Sequence, residues 1–252
     1  MFSHKQIHRL FLKKAPAFLC AVLLLLISLA GCENDSRHTA SRPTPSESSA
    51  ADPLPLVVDL DVAALPQYPE LPNGCEITSL TAVLNYYGFG ADKVDMAQNW
   101  LPCAEDGFYG SNPEVEYMGS YPDYDGWYCY ETPIMKAANR YLDSIGSTMH
   151  AHADTGAIGE QLKQLLAEGM PVIAWCTVGF QQPYYSDYYA WYIDGELFTP
   201  FENSHCLVLR GYDDIRGVYL LADPLLYYTE VAQDLFMNVF VAMGSRAVTL
   251  RG

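Results

Sequence analysis

The chain has 252 residues, half of them hydrophobic and 17% charged, which is too apolar for a disordered protein and too short for several large domains. Its 14 Lys and Arg against 30 Asp and Glu give a formal net charge of -16, and four of those cations (Lys5, Arg9, Lys13, Lys14) fall in the first 31 residues, which hold no acid. The rest carries 10 cations against 30 acids, a poor match for nucleic acid, whose affinity comes from neutralising phosphates, or for direct electrostatic binding to anionic lipid.

Residues 1–14 are basic and residues 15–30 are an apolar run whose core is shorter than the about 20 residues a membrane-spanning helix needs. A basic stretch followed by a short apolar one has the layout of a secretory signal. It ends in Leu29-Ala30-Gly31-Cys32, which resembles the lipobox of bacterial lipoproteins. That resemblance implies export, lipidation of Cys32 and a domain held at the outer face of a cytoplasmic membrane of the Gram-positive type. An ordinary signal or an uncleaved anchor, the two alternatives, also puts the body outside the cytoplasm. Residues 33–55 are mostly Ser, Thr, Ala and Pro without apolar periodicity and read as a disordered tether with a mean reach of roughly 25–30 Å. Residues 56–252 fit one domain.

Within that domain, Ile77, Leu80, Leu84 and Tyr87 make a helical face over residues 75–87, stopped by Gly88. A shorter helix is expected at 92–100, then a long loop over 103–130, rich in Gly, Tyr, Pro and Asp. Thr132-Pro133 looks like an N-cap and first helical position of a helix to about residue 143. Residues 158–168 form another, stopped by Gly169. Residues 171–178, 205–212 and 217–222 read as strands, the last two joined by Asp213-Asp214. A helix over 231–242 and a strand over 247–250 complete the chain. Helices first and strands later predict an α+β fold with segregated layers rather than a doubly wound one.

Five cysteines lie in the domain: Cys75, Cys103, Cys129, Cys176 and Cys206. The odd count leaves at least one thiol unpaired, and the absence of C-x-x-C argues against a zinc ribbon or thioredoxin-like site. Cys103 and Cys129 flank the long loop and are candidates for a disulfide. Cys176 and Cys206 sit in apolar runs and read as small core hydrophobes.

The chemistry concentrates in three places. Cys75, in Asn73-Gly74-Cys75-Glu76, opens the clearest helix, where free N–H groups and the helix dipole favour a thiolate and should lower the thiol pKa, while Gly74 leaves space beside the sulfur. A buried cysteine that merely begins a helix is the competing reading. His205 opens an apolar strand. His150 and His152, the only other histidines of the domain, would share one face of an extended segment and could bind metal, but without an obvious third ligand they read better as surface loop residues. Asp223, in Leu221-Ala222-Asp223-Pro224, ends the strand expected beside that of His205, where a carboxylate could accept the ring N–H and fix the tautomer. An Asp-Pro turn is the alternative.

The segments NGCEITSLTAVLNYYG, SHCLVLRGYDD and LADP resemble the motifs of the cysteine peptidase family typified by bacteriocin leader-processing domains, and more narrowly its stand-alone secreted relatives in Gram-positive bacteria. The likeness runs weakly along about residues 56–250. It implies a papain-like cysteine peptidase fold, N-terminal helices packed on a C-terminal antiparallel sheet, and no cofactor. It assigns Cys75 as nucleophile, His205 as general base and acid, and Asp223 as the orienting residue. In the family an upstream glutamine helps form the oxyanion hole, and Gln67 is the only upstream glutamine of this domain. It stands eight residues before Cys75, further than in the transporter domains, so a bend in PELPN must restore its reach.

Two Tyr-rich stretches, residues 117–130 and 184–192, are expected either to line a substrate cleft, with Tyr188, Tyr189 and Trp191 in contact with substrate, or to cap the core. Three function classes remain: a membrane-anchored thiol peptidase or amide hydrolase acting on peptides or cell-wall peptides, a catalytically silent binding lipoprotein, and an amide-transfer enzyme using the same thioester.

Overall fold

The computed structural model describes residues 53–252, and the expectations for the signal segment, Cys32 and the tether up to residue 52 lie outside the described residues. In chain order the elements are β1 (Val57–Asp59), α1 (Cys75–Tyr86), α2 (Lys93–Asp95), α3 (Glu131–Ser144), β2 (His150–Ala153), α4 (Gly159–Ala167), β3 (Val172–Thr177), β4 (Trp191–Ile193), β5 (Glu196–Phe198), β6 (Ser204–Asp213), β7 (Val218–Ala222), β8 (Glu230–Ala232), α5 (Gln233–Ala242) and β9 (Ala247–Arg251). A π-helical turn, Met96–Trp100, continues α2.

The main sheet is antiparallel, in the order β2-β9-β3-β6-β7-β8, and β1 pairs the far half of β6. Strand β3 is buried on both sides: Ile173 and Trp175 face the cluster built on α1 and α3, while Val172, Ala174 and Cys176 face a second cluster with α4 and α5. The N-terminal helices pack on the C-terminal sheet, as expected. A third layer is added because α4 and α5 carry their own apolar faces to the opposite side of the sheet.

Helix α1 is buried over nearly its whole circumference, so its polar side chains need partners inside the protein. Ser79 donates to the Cys206 carbonyl at 3.3 Å and Thr81 to the Ile77 carbonyl at 2.7 Å. The helix is thereby fixed against β6, the strand that carries His205. Gly88 stops it in a left-handed conformation at φ 84°.

The expected loop over 103–130 contains no helix or long strand, yet it is ordered from within. Tyr117, Met118, Tyr128 and Cys129 are fully buried, and Met118 exchanges backbone hydrogen bonds with Trp127 and Tyr128. The disulfide considered between Cys103 and Cys129 is not formed: all five described cysteines are free thiols. Cys129 lies in the core instead, its N–H and carbonyl both engaged by buried side chains. His150 and His152 lie on an edge strand rather than in a loop. Helix α3 begins at Glu131, before the expected Thr132-Pro133, with Glu131 held by Arg246 at 2.6 Å and by Thr155 at 3.0 Å.

Candidate active site

Cys75 is the first residue of α1, His205 the second of β6, and Asp223 follows β7 directly. Strand β7 pairs β6 through Ala222 and Val208, so the ends of both strands meet at the start of α1. A cleft of about 200 Å³ opens there, lined by Gln67, Tyr68, Pro72, Asn73, Cys75, Trp127, Val178, Ser204, His205, Leu225 and Tyr227.

His205 Nε2 lies 2.8 Å from Asp223 Oδ1, and both side chains are almost fully buried. Burial alone would raise the Asp223 carboxyl. The hydrogen bond and charge of His205, with backbone N–H groups of Leu225 and Tyr228, outweigh it and hold the carboxyl below its ordinary range. An ionised Asp223 only accepts, so Nε2 carries the shared proton and Nδ1 is left as the basic nitrogen. The same carboxylate accepts from Leu225, Tyr227 and Tyr228 N–H at 2.9, 3.2 and 3.3 Å. It therefore also shapes the turn that brings Leu225 and Tyr227 to the cleft.

Cys75 is buried, and among the described residues its thiol has Glu76 Oε2 as side-chain partner, at 3.4 Å, rather than His205. Burial pushes the thiol well above its usual range; the Glu76 charge adds to this, and a backbone hydrogen bond from Cys206 opposes it. The lowered thiol pKa expected from the helix N-terminus is not found for the inward-facing sulfur, which burial raises instead. Gly74 is closely packed from the other side: a Cβ there would lie 2.7 Å from the Leu71 Cβ and 3.1 Å from that of Pro122.

Gln67 reaches the cleft. Its backbone N–H donates to the Pro224 carbonyl at 3.0 Å and its carbonyl accepts from Leu71 N–H at 3.0 Å, closing a turn over residues 67–71 that takes up the extra length before Cys75. The side chain is buried and Nε2 donates to the Pro72 carbonyl. Gln67 Oε1 and Ser204 Oγ, both in cleft residues, are two of three buried side-chain polar atoms without a hydrogen-bond partner among the described residues.

The Tyr-rich stretches divide between core and rim. Tyr117, Tyr128 and Tyr130 are buried, and Trp127 lines the cleft, its indole N–H donating to the Phe201 carbonyl at 3.0 Å. Trp191 is not a cleft residue: it is buried among Phe108, Tyr109 and Phe198 and donates to the Ser111 carbonyl at 2.9 Å. Tyr188 is 87% exposed and outside the cleft. Tyr189 packs edge-on against Trp127, with ring centroids 5.6 Å apart, and so backs the wall without lining it.

Trp127 belongs to the 117–130 stretch expected to line a cleft and reaches it through the 118–128 backbone ladder. Leu225 and Tyr227 were not singled out from the sequence, and no spacing would have revealed them: they reach the cleft through the Asp223 turn. Glu76 stood beside Cys75 in NGCE without an assigned role. His150 and His152 are both exposed on β2, and no group of three His, Cys, Asp or Glu suited to a metal ion occurs among the described residues.

Comparison with known proteins agrees with this architecture. A family model described as Peptidase_C39 like family matches residues 59–248. The Bacillus subtilis protein named "Uncharacterized protein YvpB" is 28% identical over 186 residues, covering 73% of this chain and 71% of that protein. The crystal structure of a candidate C39-like peptidase from Bacillus anthracis superposes with a TM-score of 0.67 at 28% identity, covering 78% of this chain and 98% of that one. Xylellain, a cysteine protease from Xylella fastidiosa, gives a TM-score of 0.42 at 14% identity over 79% of this chain and 87% of its own, too distant to carry an argument. The fold is the mixed helix and antiparallel sheet of papain-like C39-like peptidases, and with its model matched across residues 59–248 the chain belongs to the Peptidase_C39 like family.

Proposed function

We propose that the protein is a cysteine peptidase or amide hydrolase in which Cys75, His205, Asp223 and Gln67 act together. The observation that carries this is the convergence of Cys75, His205 and Gln67 on one cleft, with His205 Nε2 held 2.8 Å from Asp223. His205 Nδ1 takes the thiol proton, and the thiolate attacks a substrate carbonyl carbon. The oxyanion is met by a Gln67 side-chain N–H and the Cys75 backbone N–H. His205 then returns its proton to the leaving amine as the C–N bond breaks, leaving a thioester on Cys75. Water, deprotonated by His205, cleaves the thioester and frees the acid.

The inward turn of the thiol toward Glu76, 3.4 Å away, favours the second reading, a binding protein of the same fold without turnover. Incubation with a peptide pool in H₂¹⁸O separates the classes. Hydrolysis incorporates label into new carboxylates and is lost in Cys75→Ala; transfer yields unlabelled products joined to an added amine; silence in both proteins supports binding alone. Placement of the domain outside the cell on a lipidated Cys32, facing peptide or cell-wall peptide substrates, is part of the proposal and rests on Leu29-Ala30-Gly31-Cys32. It predicts that Cys32→Ala abolishes labelling by a fatty-acid probe; labelling that persists contradicts it.

A further inference from the structure

The mechanism above leaves one buried ionisable group unused. Glu76 is 1% exposed, yet it lies beside the nucleophile in sequence and in space. Its Oε1 accepts the Cys129 N–H at 3.1 Å, and its Oε2 stands 3.4 Å from Cys75 Sγ. Cys129 is fixed in turn from the sheet, where Trp175 Nε1 donates to its carbonyl at 2.8 Å. The carboxyl group thus lies between the sulfur and a backbone N–H of the core.

The groups facing it are Cys75 on its own helix, Tyr117, Tyr128 and Cys129 from the loop, and Cys206 from β6, and burial raises every one of them toward its neutral form. No cation pairs with Glu76 among the described residues. A negative charge on this carboxyl group is therefore opposed only by backbone N–H groups, in surroundings where charge is poorly screened.

Resting on the cysteine-hydrolase reading, we propose that Glu76 is a further residue of the thiol machinery: protonated, it can donate its O–H to the Cys75 thiolate; ionised, it opposes thiolate formation and keeps the thiol protonated. The proton balance is simple. The thiol proton passes to His205 Nδ1, while Glu76 keeps its own. When the carboxyl proton is lost to solvent first, transfer from sulfur must create a second anion 3.4 Å from the first, and it is suppressed. Burial pushes the carboxyl up to about 7, its own and the Cys129 backbone N–H partly offsetting this, which places the change near neutral pH.

Glu76→Gln tests this, because it keeps an acceptor for Cys129 N–H and mimics the protonated carboxyl. The rate of Cys75 alkylation by iodoacetamide is followed from pH 5 to 9 in wild type, Glu76→Gln and His205→Ala. The ratio of Glu76→Gln to wild type is expected near one at pH 5.5 and to rise to about tenfold above pH 8, the effect of one unit of thiol pKa. A ratio constant across pH overturns the proposal. His205→Ala is read separately: its profile reports the Cys–His pair, so a flat Glu76 ratio beside a His205-dependent wild type sinks this inference alone. Should Glu76→Gln fail to fold, wild-type protein labelled with ¹³C at the glutamate carboxyls decides by NMR. One carbon titrating near pH 7 is expected, and none above about pH 6 overturns it.

Discussion

Asp223 engages both carboxylate oxygens with four donors, one on His205 and three in the turn that follows. Replacement by Ala leaves the buried His205 ring N–H and three part-buried backbone N–H groups without their acceptor and is expected to cost about 1–3 kcal/mol in denaturant titration. Asp223→Asn, which keeps the shape but can present an N–H to the ring, is expected to lower kcat by about 10²–10⁴-fold through the wrong tautomer. Near-wild-type kcat would remove the orienting role. Because the folded-state pKa of Asp223 lies below its ordinary value, its contribution to stability is present above that value and is lost as pH falls through the folded one. Glu76 runs the other way. Its pKa rises from 4.5 to about 7 on folding, so stability from its protonated form is full below 4.5 and declines as pH rises toward 7, by on the order of 3 kcal/mol. The stability of Glu76→Gln relative to wild type should therefore climb across that interval in urea titrations at pH 4.5, 6 and 8, and a constant difference would contradict the assignment. At this scale the sequence made Cys75, His205 and Asp223 legible because each sits at an element end beside a recognisable pattern. The thiol's ionisation was not legible, because burial and a neighbouring carboxyl decide it, and neither follows from a helix start.

Elements were read well where periodicity was long. Helices α1, α3 and α4 and strands β3, β6, β7 and β9 lie within a residue or two of the positions their apolar patterns indicate. The pattern failed where pairing, not composition, makes the strand. Strands β1, β2, β4, β5 and β8 are three or four residues long and exist through their partners. Strand β1 crosses β6 so closely that a Cβ on Gly211 would lie 2.0 Å from the Val58 carbonyl oxygen. Gly211→Ala is therefore expected to detach β1 or push β6 aside, costing about 1–3 kcal/mol and lowering the melting temperature. An unchanged melting temperature would show that β1 yields freely. The long loop illustrates the same limit: its turn-rich composition concealed Tyr117, Tyr128 and Cys129, whose burial gives it the rigidity to hold Trp127 at the cleft.

Across the whole molecule the charge is lopsided, with 30 acids against 14 Lys and Arg, and the cleft lining holds no Lys or Arg. The lining holds no Asp or Glu either, so any bias toward cationic peptides is expected to come from the long-range field of the whole chain, which salt screens. For matched peptide substrates, raising ionic strength from about 0.02 to 0.3 M is expected to lower kcat/KM for a basic peptide and raise it for an acidic one. Equal slopes would remove long-range steering from the account. The central claim remains that the start of α1 and the ends of β6 and β7 assemble a working thiol–imidazole pair. Its most direct test is the pH profile of Cys75 alkylation, read cysteine by cysteine from peptide masses, in wild type and His205→Ala. Cys75 is predicted to react faster than the other buried thiols, Cys129, Cys176 and Cys206, and loss of His205 to move its profile up by at least about one pH unit. Superimposable profiles, or a Cys75 no more reactive than Cys129, Cys176 and Cys206, would contradict it.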